Sequence, residues 1–284
     1  MKTLIITADD FGAAIEINEA VEHGHVSGCL TAASLMVTGA AFDDAVARAR
    51  RLTGLGVGLH LVLVEGTPAL PPEQVPDLVD GRGHFRTDMA RTGIDIFFRP
   101  SVRLQLRAEI AAQFARFAAT GLRLDHVNAH KHFHLHPTIA SIVLEIGAEH
   151  GMKAVRAPIE PISLLRQIEP TQRDITMKVA DIWAKLLRRR LRNSGLCVPD
   201  QVFGLAWSGA VTADRLARLI DQLPEGVTEI YAHPATTDDF IGHTPGYRYL
   251  EEYAALIDID VRASVERTGA RLARFADLPP NNRQ

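Results

Sequence analysis

The chain has 284 residues, a formal net charge of −3, 46% hydrophobic residues and 23% charged residues. That composition can bury a sizeable core, and it supplies no overall positive field for a nucleic acid. No stretch approaches the roughly 18 uninterrupted apolar residues of a membrane span, and no basic leader runs into a long apolar region.

Leu4-Ile5-Ile6-Thr7-Ala8-Asp9-Asp10-Phe11-Gly12 opens the chain as an apolar run ending in two carboxylates. It reads as a buried strand with Asp9 and Asp10 at its carboxyl end, where α/β folds keep their chemistry. Strand alternation sends the two side chains to opposite sides, and Gly12 lets the chain turn sharply. Composition alone favours plain turn aspartates, one capping the next helix; the residues downstream shift that balance.

Residues 13–25 read as a helix with Ile17, Ala20, Val21 and Gly24 on one face. A second strand is expected at 30–37, a helix at 42–52, and a third strand at 57–62 with His60 in an apolar setting. Residues 65–100 are rich in Pro and Gly and read as a long lid or binding loop. A helix at 102–120, stopped by Gly121, precedes a strand at 124–129 that runs into His130-Lys131-His132-Phe133-His134-Leu135-His136-Pro137. A helix at 138–150 and a short strand at 153–156 follow, then strands at 201–205, 229–233 and 271–275 separated by helices at 212–222 and 249–268. The alternation predicts an α/β fold in one domain, 1–284, built as a single irregular (β/α) TIM-like barrel with parallel strands. A doubly wound open sheet is the alternative.

Residues 175–193 stand apart. Ile175, Val179, Ile182, Trp183, Leu186, Leu187 and Leu191 share a helical stripe, with Lys178, Lys185, Arg188, Arg189 and Arg192 mostly opposite. Such a helix either packs on the barrel with a solvated basic face or touches an anionic membrane as a peripheral contact. Cys29 and Cys197 form no CxxC pair, which removes one kind of zinc site and suits a reducing cytoplasm.

Five of the 12 histidines fall between His126 and His136. Asp10, His60 and His130 each sit at an expected strand end. One carboxylate and two imidazoles make a facial ligand set with open positions, in which a metal polarises a carbonyl and acidifies water. No pair has helical spacing, so the fold must assemble the set, and a lone histidine in an apolar strand is often a core residue. The histidines at 130, 132, 134 and 136 would share a face if extended. Tyr231-Ala232-His233-Pro234 is another strand end, and His233 is a candidate general acid.

Thr7 to Gly12, Gly58-Leu59-His60, Asn128 to His134 and Ala232-His233-Pro234 together resemble the YdjC family of carbohydrate deacetylases. The resemblance implies an irregular β/α barrel that removes an N-acetyl group from an amino sugar. It also implies one divalent ion, zinc or magnesium with manganese or nickel as alternatives, held by Asp10, His60 and His130, with Asp9 at the position of the catalytic base. His132, His134 and Arg156 are then candidate sugar contacts. Asn128 and Lys131 depart from the aspartate and histidine that the family often carries there. Asn18 to Val21, Ala33 to Val37 and Gly58 to Gly66 are similar to the hopanoid-biosynthesis-associated branch, which implies an N-acetylglucosaminyl hopanoid lipid as substrate, met at the inner membrane face. Competing readings are a deacetylase of soluble chitooligosaccharides, a phosphoester hydrolase, and a sugar- or lipid-binding protein without catalysis.

Overall fold

The structure is a computed structural model that describes residues 1–170 and 175–279, with side chains described outside 171–180. β1 (Lys2–Phe11) is its centre, an apolar strand covered on both faces. It pairs in parallel with β2 (Ala32–Leu35) along its second half. On its other edge it pairs from Lys2 to Ala8 with β6 (Gly226–Ala232). β3 (Gly56–Leu61) and β4 (Val127–Ala129) extend the sheet beyond β2, and β5 (Gln201–Phe203) extends it beyond β6. The order is β4-β3-β2-β1-β6-β5, and the short β7 (Arg271–Leu272) pairs with β1 at Thr3 and Leu4.

Every pairing in this sheet is parallel, and helices cover it: α1 (Ile15–Ser27), α2 (Phe42–Arg51), α4 (Pro100–Ala119), α5 (Pro137–Glu149), α8 (Ala213–Asp221), α9 (Tyr249–Ile257) and α10 (Ile259–Thr268). The sheet curls as a TIM-like barrel does, but the barrel is not closed. The expected strand at 153–156 supplies only single bridges, Val127 to Val155 and Ala154 to Cys197, in the gap between β4 and β5. Pro158 cannot donate to a ladder, and beyond it the Ile159 carbonyl accepts from the Val202 amide of β5 at 2.9 Å.

Other expectations shift locally. The 65–100 loop holds a helix, α3 (Met89–Phe98), started by Asp88, whose side chain accepts from the Arg91 amide. A short helix at Ile162–Ile168 (α6) was not foreseen. The helix expected at 249–268 breaks at Asp258, whose side chain caps α10 through the Asp260 and Val261 amides. α7 (Ile175–Asn193) forms as read, but its stripe divides: Leu187 and Leu191 are buried whereas Ile182, Trp183 and Leu186 are exposed. Ile175, Lys178 and Val179 lie outside the described side chains. No helix among the described residues is long and apolar enough to cross a membrane.

Candidate active site and metal centre

The carboxyl ends of β1, β3, β4 and β6 meet around a cavity of about 320 Å³, at the lower end for small-molecule pockets. Asp9, Asp10, His60, His130, His132 and His233 all line it. Ala129, Lys131, Leu205, Ser208, Tyr231, Thr244 and Tyr247 complete the wall.

Both aspartates reach the cavity because β1 is irregular at its end. The register with β2 shifts between Ala8 and Phe11, and Asp10 has φ 62°. Such a bulge re-aims a side chain, and Asp tolerates the left-handed region better than most residues. The simple alternation expected from the sequence therefore fails at this point. Gly12 follows at φ 94°, and its amide donates to Asn18 Oδ1 at 2.8 Å, which fixes the turn.

Asp10 Oδ1 lies 3.3 Å from His60 Nε2 and 3.4 Å from His130 Nδ1. One ligand atom from each residue falls within 4.8 Å of the others. Burial pushes the Asp10 carboxyl up in pKa, but its contacts with His130 and His60 outweigh this and hold it well below the usual range. Asp10 Oδ1 and His60 Nε2 are buried without a hydrogen-bond partner. Orphaned lone pairs facing one point cost free energy unless something sits between them, and an Asp-His-His set is a donor set that a divalent cation satisfies.

Asn128 prepares His60 for that role. Its Nδ2 donates to Asp9 Oδ1 at 3.1 Å and to Ser34 Oγ at 2.9 Å, leaving Oδ1 to accept from His60 Nδ1–H at 2.7 Å. The ring is thereby fixed with Nε2 bare and turned to Asp10. Only an amide can serve both neighbours in this way: an aspartate would accept from His60 but place a like charge against Asp9.

Asp9 is held from behind by Arg156. Nη1 donates to Asp9 Oδ2 at 2.6 Å and Nη2 to Oδ1 at 3.0 Å, a bidentate pair that is wholly buried. Burial raises the Asp9 pKa, yet the Arg156 charge, with His60 and His233, carries it far below the ordinary value. The same guanidinium donates to Glu229 Oε1 through Nε at 3.0 Å and Nη2 at 2.7 Å, and lies over the Tyr231 ring at 4.4 Å. Arg156 does not line the cavity. It is enclosed behind the carboxylate, because a buried Asp9 and a buried Glu229 need one shared cation.

The His130–His136 run is not extended. Its backbone forms a kinked 3₁₀ segment, His130–Leu135, with Lys131 at φ 51° and His132 at φ 53°. The alternate histidines therefore separate. His132 faces the cavity, its Nε2 sharing a hydrogen bond of 2.9 Å with the Tyr231 hydroxyl. His134 points away from it, its Nε2 bonded to the Arg156 carbonyl at 2.8 Å, and burial lowers its pKa to about 4. His134 does not line the cavity, and this bond ties it to the scaffold behind it.

His233 is buried at the end of β6. Its backbone amide donates to Glu252 on α9, whose other oxygen accepts from the Val211 amide at 2.7 Å. The His233 Nδ1 lies 3.9 Å from that carboxylate, and burial raises the Glu252 pKa. The sequence reading gave Glu229 and Tyr231 no role in the site, although with His233 they occupy every second position along one strand and its end. That period placed them on one side of the sheet with the histidine. Glu252 and Tyr247 carry no local signal, since they arrive from segments remote in sequence.

The YdjC-like protein family model matches residues 3–267. A carbohydrate deacetylase of Brevibacillus brevis is 41% identical over 278 residues, covering 97% of this chain and 99% of the relative. A chitooligosaccharide deacetylase of Serratia marcescens is 27% identical, with 98% and 99% covered. A solved protein of Enterococcus faecalis V583 superposes with a TM-score of 0.74 at 26% identity, covering 96% of this chain and 97% of that one. Match, coverage and fold agree along nearly the whole length, and the chain belongs to the YdjC-like family.

Proposed function

We propose that this chain is a metal-dependent carbohydrate N-deacetylase, one catalytic unit over residues 1–284, acting on an N-acetylated amino sugar. The observation that carries this is the pair of orphaned atoms, Asp10 Oδ1 and His60 Nε2, gathered with His130 Nδ1 beside the Asp9 carboxylate on one cavity wall. A zinc or magnesium ion at Asp10, His60 and His130 would supply a Lewis acid for the amide carbonyl and an acidified water.

The chain's own groups do the rest. Asp9 takes a proton as water adds to the carbonyl carbon, and Arg156 and Asn128 hold both its oxygens in place. Its low pKa keeps it ionised but gives it a small driving force for proton uptake, so its contribution rests on position and on an acidified partner. His233, steadied by Glu252, donates a proton to the nitrogen as the C–N bond breaks, and acetate and a free amine leave. His132, Tyr231 and Tyr247 form the wall against which a sugar ring packs.

The substrate favoured by the sequence is an N-acetylglucosaminyl hopanoid lipid, processed at the cytoplasmic membrane face. The segments resembling that branch support it. A soluble chitooligosaccharide is the second reading, supported by the similarity to the Serratia marcescens protein. Incubation with each substrate, followed by mass spectrometry for loss of one acetyl group and by acetate assay, separates them. Asp9→Asn is expected to retain metal while turnover falls about 10²–10⁴-fold. Near wild-type turnover in that variant would remove Asp9 as the base.

A further inference from the structure

Large exposed apolar side chains collect on two helical segments. On α3 and the start of α4 these are Ile94, Phe97, Phe98 at 72% exposure and Leu104 at 70%. On α7 they are Ile182 at 60%, Trp183 at 43% and Leu186. Leu104 of the first group and Arg190 of α7 line one groove over α5, with Arg103, Ser141 and Ile142, and Arg190 donates to Ser141 Oγ at 2.8 Å. Ile182, Leu186 and Arg190 follow one another at four-residue steps, so they form a continuous line on α7 leading from that groove.

The surface also adjoins the cavity's lip. The Phe97 ring meets the His136 ring edge-on at 6.2 Å, and α7 packs against the His130–Leu135 segment. That segment carries His130, Lys131 and His132 into the cavity.

The charges around the apolar residues are mostly free cations; the exposed Asp88 at the start of α3 is a free carboxylate among them. Arg91, Arg103 and Arg189 are exposed and have no carboxylate partner among the described residues, and Arg190 meets only a hydroxyl. Asp95, Glu145 and Asp181 are each engaged, by Arg86, Arg107 and Lys185. Exposed Trp and Phe beside unpaired arginines match the boundary of an anionic bilayer, where aromatic rings sit at headgroup depth and each cation adds attraction. A twofold dimer through the same face would bring these arginines against their own copies.

We propose that the face formed by α3, the start of α4 and residues 182–190 of α7 docks the protein on anionic lipid membranes, with the cavity lip at the lipid surface. The proposal is independent of the deacetylase reading, because docking is read by flotation and turnover by acetate. The test floats the full chain with phosphatidylglycerol–phosphatidylcholine vesicles and with pure phosphatidylcholine vesicles, at low and high salt. Binding is expected to the anionic vesicles alone and to weaken with salt. The triple variant Ile182→Ser, Trp183→Ser, Leu186→Ser is expected to lose at least about tenfold in partitioning. The separate variant Phe98→Ser, Leu104→Ser should weaken binding in the same sense. Both are expected to keep the wild-type circular-dichroism spectrum and thermal midpoint, which shows that they fold. Equal binding to neutral vesicles, no binding to any vesicle, or a dimer in light scattering that these substitutions dissolve would each overturn the proposal.

Discussion

Asn128 shows how much depends on a single side chain. Its carboxamide fixes the His60 tautomer and at the same time donates to Asp9, so one residue prepares a ligand and a base. Asn128→Ala releases the ring and leaves His60 Nδ1–H without its acceptor. Metal affinity is expected to fall about 10–100-fold by titration calorimetry, with the fold intact by circular dichroism. An unchanged affinity would mean that His60 orients itself. Asp10, His60, His130, Asp9 and His233 could all be picked out of the sequence because each ends an apolar run, and the open barrel brings such ends together. Arg156 and His134 lie behind the cavity wall rather than in it, and the sequence does not reveal that placement. Polar residues near a strand end look alike in sequence whether they face the cavity or satisfy a buried partner behind it.

At the level of elements, the strands that read most clearly were those buried on both faces, β1, β2 and β3, because continuous apolar runs leave few alternatives. The misreadings fell where side chains set the backbone. Asp88 caps a helix inside the expected loop, Asp258 splits one expected helix in two, and the left-handed Lys131 and His132 fold an apparently extended histidine run. The turn after β1 is the most consequential such place. Gly12 has φ 94°, and a Cβ there would sit 3.1 Å from both the Leu35 side chain and the Met36 carbonyl. Gly12→Ala is expected to cost at least about 1 kcal/mol in urea unfolding, from left-handed strain. It should also weaken metal binding by displacing Asp10, two residues away. A variant as stable as wild type would show that the turn relaxes freely.

Over the whole molecule, the ionised groups behind the cavity make stability depend on acid. Burial holds the folded His134 pKa near 4, below its ordinary 6.5. Its stabilising contribution is therefore complete above about 6.5 and is lost as pH falls toward about 4, because the unfolded chain binds the proton first. His134→Gln can still donate to the Arg156 carbonyl and does not titrate. Urea midpoints measured across that interval are expected to fall less steeply for the variant, and parallel slopes would contradict this source of acid sensitivity. The same interior gathers Asp9, Arg156 and Glu229 into a buried triad under β1 and β6, so the scaffold and the proposed chemistry draw on the same groups. The most direct measurement is acetate release from an N-acetylated amino sugar by protein stripped of metal with a chelator, then titrated with zinc or magnesium. Activity should vanish on stripping and return at one equivalent per chain in the wild type but not in His60→Ala. Full turnover by the stripped protein, or an equal return in His60→Ala, would contradict the account.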